Sequence, residues 1–178
     1  MKIHTRLVLA SLLLAPEGAA AQTASPAPRP SAPLCASPEH RQFDFWVGDW
    51  NVKNPQGAQA GSNLITREYG GCVIQEHWAG RGGFTGSSFN MYDPATKRWH
   101  QTWVDSSGTL LLLDGEFKDG KMQLAGETTA AGGGKTLHRV SFEPRPDKTI
   151  RQLWDSSSDG GKTWSVVFDG VYERKPGN

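Results

Sequence analysis

Short runs of β-favouring residues, each closed by Gly, Asp, Asn or Ser, follow one another along this chain from about residue 45 almost to its last residue. That rhythm constrains the fold more than any other feature. Long helices do not form across such punctuation, whereas short strands joined by tight turns do. The 21 glycines are spread through the sequence as these breaks. A helix signal is confined to Ser37-Pro38-Glu39-His40-Arg41-Gln42, a cap-like Ser with Pro in the first turn. The runs predict ten strands: Phe45–Lys53, Asn63–Tyr69, Cys72–Ala79, Thr85–Tyr92, Arg98–Asp105, Thr109–Phe117, Lys121–Glu127, Lys135–Glu143, Thr149–Asp155 and Thr163–Arg174. Connections such as Tyr69-Gly70-Gly71-Cys72, Asp93-Pro94-Ala95-Thr96, Ser106-Ser107-Gly108 and Lys118-Asp119-Gly120 make consecutive strands antiparallel neighbours. A meander of this length leaves two long edges unless the sheet closes, and closure removes both. The predicted fold is all-β, a ten-strand antiparallel meander β-barrel with a short N-terminal helix; a two-sheet β-sandwich is the rival.

The first residues carry Lys2, His4 and Arg6, then the apolar run Leu7 to Ala15, then Ala19-Ala20-Ala21 before Gln22. A basic start, a short apolar core and an A-x-A-like site predict a secretory signal over 1–21, cleaved near Ala21. The run is stopped by Pro16 and Glu17, short of the roughly 20 apolar residues a membrane span needs. Residues 22–38 are rich in Pro, Ala and Ser and read as a disordered tether, leaving 39–178 as one domain. The expected address is periplasmic or secreted. A formal charge of +1 offers no basic field for nucleic acid and no polybasic patch for an anionic membrane. Cys35 and Cys72 are the two cysteines, and in an exported chain they are expected to pair, with two free thiols as the alternative.

Alternation assigns faces, since side chains two apart in a strand point the same way. Ile74, Glu76 and Trp78 share one face of the third strand, opposite Gln75 and His77. Asn90 and Tyr92 go together on the fourth, Gln101, Trp103 and Asp105 with Trp99 on the fifth, and Gln152 and Trp154 on the ninth. If these sets point inward, the interior mixes aromatic area with a few polar groups, which suits a small, partly polar ligand. The alternative is a filled core in which the tryptophans pack and the amides satisfy one another. Glu76 is the sharpest single candidate, because a carboxyl buried beside Trp78 would be pushed toward its neutral form and could serve as an acid or base. An internal arginine, Arg139 or Arg151, could instead pair with it.

Two segments echo one another: Trp103-Val104-Asp105-Ser106-Ser107-Gly108 and Leu153-Trp154-Asp155-Ser156-Ser157-Ser158. In each, a strand ends at an Asp able to accept bonds from the next backbone amides. The second runs on to Ser157-Ser158-Asp159-Gly160-Gly161-Lys162-Thr163-Trp164, which resembles the Asp-box of sialidases and other β-propellers. The resemblance implies a hairpin stabilised by Asp159 and Thr163 with Trp164 packed beneath, and no catalytic groups. A propeller needs several blades of about 40–50 residues, and one box does not supply them.

Phe43-Asp44-Phe45-Trp46-Val47-Gly48-Asp49-Trp50, a short helix leading to G-x-W on the first strand, resembles the opening of lipocalins and related calycins. With Gly71 to Trp78, Trp99 to Asp105 and the ending Trp164 to Tyr172, the chain is similar to a bacterial family of exported or cytoplasmic calycin-like barrels that has no settled activity. The resemblance implies that Trp50 packs over the closed end of the barrel with a late basic residue, for which Arg174 is the match. It also implies a ligand cavity. Some calycin barrels, nitrobindin-like ones among them, hold haem through one histidine; His77, His100 and His138 lie on predicted strands, but His77 and His100 fall opposite the tryptophan faces. No H-E-x-x-H, G-x-S-x-G, Walker A or C-x-x-C string occurs. Gly80-Arg81-Gly82-Gly83-Phe84-Thr85-Gly86 joins two strands and reads as a flexible hairpin loop at a cavity mouth. The expected function is therefore an exported, non-catalytic small-molecule binding barrel. The alternatives are an enzyme that uses Glu76 as acid/base and a haem barrel. No cofactor or metal is expected, and the candidate ligand-binding set is Glu76, Trp78, Asn90, Tyr92, Gln101, Trp103, Gln152 and Trp154.

Overall fold

The computed structural model describes residues 34–177. The signal segment and most of the predicted tether lie outside the described residues. Ten strands form one sheet: β1 Gly48–Lys53, β2 Gln59–Glu68, β3 Val73–Gly80, β4 Thr85–Asp93, β5 Arg98–Asp105, β6 Leu110–Lys118, β7 Lys121–Thr129, β8 Lys135–Pro144, β9 Ile150–Ser157 and β10 Ser165–Arg174. Every strand pairs antiparallel with its neighbour in sequence, and β1 pairs with β10 to close a barrel. The closing register sets Trp50 opposite Arg174 and Val52 opposite Tyr172. Closure rules out the sandwich and gives a calycin-like barrel. No helix among the described residues is long and apolar enough to cross a membrane.

Several boundaries differ from the sequence expectation. The first strand begins at Gly48 rather than Phe45, because Asp44–Trp46 is a 3₁₀ turn. Its aromatics plug the barrel instead of lining a strand. Phe43 stacks on Trp46 with centroids 4.9 Å apart, and Phe142 meets Trp46 at 4.6 Å and Phe43 at 5.0 Å. The N-terminal helix is also a 3₁₀ turn, Pro38–Arg41, and the Ser37 hydroxyl turns to the Glu39 carboxylate and His40 rather than capping backbone amides. Strand β2 starts four residues earlier than predicted, at Gln59 rather than Asn63. The last strand starts at Ser165, leaving Thr163 and Trp164 in the preceding turn.

The closed end is latched by several contacts. Trp50 donates its indole N–H to Trp46 O at 2.8 Å, and the Arg174 guanidinium lies 4.4 Å over the Trp50 ring. Trp99 Nε1 donates to Gln42 Oε1 at 3.1 Å. The Cys35–Cys72 disulfide ties the start of the described chain to the entry of β3. Arg41 Nη2 reinforces the tie by donating to both Cys35 O and Gly71 O at 2.6 Å. The last residues of the segment read as a tether, Cys35 to Pro38, are therefore held against the barrel. A disulfide is consistent with an oxidising, extracytoplasmic compartment.

Candidate functional site

The inward side chains above the plug do not fill the barrel, and two glycines explain why. A Cβ on Gly86 would come within 2.4 Å of the Trp103 indole, and one on Gly61 within 2.8 Å of the Trp78 indole. Each ring can therefore lie flat on the backbone of the neighbouring strand, along the wall instead of across the lumen. What remains is a cavity of about 310 Å³, lined among others by Glu76, Trp78, Gln101, Trp103, Gln152 and Trp154, that reaches Arg81 and Phe84 in the β3–β4 loop. That volume lies at the lower end of the range for small-molecule sites, roughly 300–1,000 Å³.

Two of the eight predicted ligand-binding residues lie elsewhere. Asn90 is inward but buried beneath Gln101, and its amide nitrogen donates to Ile74 O and Ser88 Oγ. Tyr92 is two residues further along the same strand, at the closed end, with its ring 5.2 Å from His40 and 6.1 Å from Trp99. Alternation gave both residues the correct face, but their depth depends on the stagger of the strands around the barrel.

The cavity floor is an unbroken hydrogen-bond chain whose direction can be read from one fixed point. The Ile74 carbonyl can only accept, so it must face the Asn90 NH₂ group. Asn90 Oδ1 then faces Gln101 and accepts from its Nε2 at 2.7 Å. Asn90 Nδ2 donates to Ser88 Oγ at 2.8 Å, and Ser88 in turn donates to Glu76 Oε2 at 2.7 Å. On the other side, Asn63 Nδ2 donates to Glu76 Oε1 at 2.7 Å and to the Tyr172 hydroxyl at 3.2 Å. Tyr172 donates onward to Gln152 Oε1 at 2.5 Å. The chain runs from β5 through β4, β3, β2 and β10 to β9, and both ends are cavity-lining glutamines. Gln101 thus turns its carbonyl oxygen to the lumen, and Gln152 turns its NH₂.

Both protein groups on Glu76 are donors, as an ionised carboxylate requires. Even so, no arginine among the described residues pairs with it. Arg139 and Arg151, the partners considered from sequence, sit on the outer face, where Arg139 bonds Asp155 at 3.0 Å and Arg151 bonds Asp169 at 2.8 Å. Parity accounts for this, because Val140 and Gln152 next to them point inward. Burial therefore dominates and pushes Glu76 up to about 7, with the Ser88 and Asn63 hydrogen bonds holding it back. Burial, and secondarily the nearby Glu76 charge, raise Tyr172 well above the ordinary phenol value, so its hydroxyl remains a donor.

Among the described residues the histidines offer the lumen no free ring nitrogen. His77 is exposed on the outer face, and His100 bonds Asp114 and Thr102. His138 points inward, but it bonds Thr128 Oγ1 at 2.9 Å through Nε2 and accepts from Trp154 Nε1 at 3.1 Å through Nδ1. Burial lowers its pKa. Among the described residues no cluster of His, Cys, Asp or Glu could hold a metal ion.

No residue of the Asp-box-like turn, 157–164, lines the cavity. Asp159 accepts from Ser157 Oγ at 2.7 Å, from Thr163 Oγ1 at 2.6 Å and from the backbone amides of Lys162 and Thr163. Trp164 donates to Gly161 O at 3.1 Å and carries the Arg139 guanidinium 4.1 Å over its ring. The two echoes differ: Asp105 caps the amides of Ser107 and Thr109, whereas Asp155 is taken by Arg139.

Sequence reasoning missed Asn63, Ser88 and Tyr172, three of the four residues that join Glu76 to the two glutamines; Asn90 is the fourth. Ser88 was findable, being two before Asn90 on the same face. Asn63 and Tyr172 are 109 positions apart and meet only because the barrel closes. In comparisons with known proteins, no family profile matches the chain and no curated protein matches it.

Proposed function

We propose that the chain is an exported, non-catalytic small-molecule binding barrel of the calycin-like kind, which takes its ligand in the lumen above Glu76. One observation carries the reading: an open cavity with aromatic walls ends on a fixed polar floor whose two terminal glutamines keep hydrogen-bonding capacity for a guest. Aromatic area supplies burial and the floor supplies orientation. Export is supported by the signal-like start of the sequence and by the disulfide. Native mass spectrometry of the processed protein purified from its host tests this. The expected result is a retained small molecule in the wild type and its loss in Gly86→Ala, whose methyl group would drive Trp103 into the lumen. An apo mass for the wild type, together with no uptake of small aromatic compounds, contradicts it.

A second reading, catalysis with Glu76 as acid/base, is favoured by the carboxyl value of about 7 at a position open to the lumen. It is weakened by the placement of Asn90, which is buried within the floor and does not line the cavity. Any turnover should rise or fall with an apparent pKa near that of Glu76 and vanish in Glu76→Gln. Turnover that survives the substitution removes Glu76 from such a mechanism.

A further inference from the structure

Around Glu76 and Gln101 the lumen is electron-rich, and this narrows the chemistry of its guest. Glu76 is 4 % exposed, lines the cavity and has no cationic partner among the described residues. Gln101, also 4 % exposed, has committed its NH₂ to Asn90 and presents its carbonyl oxygen. Trp103 has spent its indole N–H on Asp105 Oδ2 at 3.0 Å, and Trp154 has spent its own on His138. What these two rings offer the lumen is therefore their π surface rather than a donor. The floor also holds its donors on Glu76 at a cost elsewhere. Asn63 turns its NH₂ to the carboxylate and the Tyr172 hydroxyl, and its buried Oδ1 has no partner among the described residues. Flipping the amide would not help, because it would set that oxygen against the carboxylate. An orphaned acceptor tolerated so that two donors stay on one acid marks a site arranged for the charged carboxylate.

We infer that the cavity takes a small organic cation, a protonated amine whose N–H groups meet the Glu76 carboxylate and Gln101 Oε1 while its apolar body lies against Trp78, Trp103 and Trp154. The inference rests on reading the lumen as a ligand site. A cation supplies the missing counter-charge, and the π faces attract it further once water is displaced. The Gln152 NH₂ is left for a hydroxyl or carbonyl elsewhere on the guest. The titratable groups facing the lumen are Glu76, Tyr172 and, exposed on the rim, Arg81; His138 stands behind Trp154. Arg81 is solvated and therefore screened from the floor.

Titration calorimetry with three probes of matched shape tests this: phenethylamine, 2-phenylethanol and phenylacetate. At about pH 8, where Glu76 is mostly ionised, phenethylamine is expected to bind at least about tenfold tighter than 2-phenylethanol, with phenylacetate weakest. In the wild type that advantage should shrink at about pH 5.5, as Glu76 takes up its proton. Glu76→Gln should lose the amine preference at the higher pH while still binding 2-phenylethanol, and this variant separates Glu76 from any contribution of His138. Equal affinity for amine and alcohol, or tightest binding of phenylacetate as an Arg81-governed site would show, overturns the inference and leaves the lumen reading standing. Binding of none of the three takes down both. The wild-type pH comparison does not depend on how well the variant folds.

Discussion

The double replacement Cys35→Ala/Cys72→Ala is expected to lower stability by about 4 kcal/mol, from the chain entropy of the loop that the bridge closes. The separation is 37 residues, so the unfolded chain gains considerable freedom when the bridge is absent. For a domain of this size the loss corresponds to a fall in Tm of roughly 10 °C. Local structure adds to the effect. The bridge holds the Pro38–Arg41 turn where Arg41 reaches Cys35 O and Gly71 O, and that turn keeps Gln42 on Trp99. Thermal melts of the double variant beside the oxidised wild type check this, and a Tm within a degree or two of wild type would contradict it. The cavity is lined mainly from the opposite end of the barrel, so ligand uptake at low temperature should be preserved in the variant. The bridge belongs to the plug and not to the site.

The second large effect is a pH dependence carried by one group. Glu76 sits at about 7 in the folded protein against an ordinary value of 4.5. The folded state therefore binds more protons than the unfolded state between those values, and stability must fall as pH rises. The contribution is fully present below about pH 4.5, is lost as pH climbs through about 7, and levels off above that; its total is roughly 3 kcal/mol. His138 titrates in part of the same window with the opposite sign, since burial lowers its pKa. The informative quantity is thus the difference between wild type and Glu76→Gln. Urea unfolding between about pH 5 and pH 8 should show wild-type stability declining relative to the variant. Parallel curves would mean that Glu76 is not desolvated as described, and the argument for an uncompensated acid in the lumen would go with it.

Much of the fold was legible because strand pairing here is local. Turns such as Lys118-Asp119-Gly120 force neighbours, and alternation placed Glu76, Trp78, Gln101, Trp103, Gln152 and Trp154 on the face that now lines the cavity. The outward setting of Arg151 was available from the same alternation, since it lies beside Gln152, already assigned inward, whereas no face had been assigned on the strand that carries Arg139. The N-terminal aromatics were misread for a physical reason. Phe45 and Trp46 have strong β propensity, but packing against Phe142 and Phe43 overrides it and winds them into a 3₁₀ turn. Depth along the barrel could not be read either. Asn90 and Tyr92 share a face with cavity residues, yet Asn90 is buried within the floor and Tyr92 lies below it, because stagger is a property of the closed sheet. The link from Glu76 through Asn63 to Tyr172 depends on the β1–β10 closure, which no local pattern encodes.

The seven tryptophans make the central claim directly measurable. Trp78, Trp103 and Trp154 line the cavity, Trp46, Trp50 and Trp99 belong to the closed end, and Trp164 sits in the Asp-box-like turn. In a ¹H–¹⁵N spectrum with assigned indole resonances, saturating phenethylamine near pH 8 is predicted to shift the three cavity signals and leave the other four in place. Unmoved cavity signals, or shifts confined to the plug or the turn, would contradict a ligand site in the lumen.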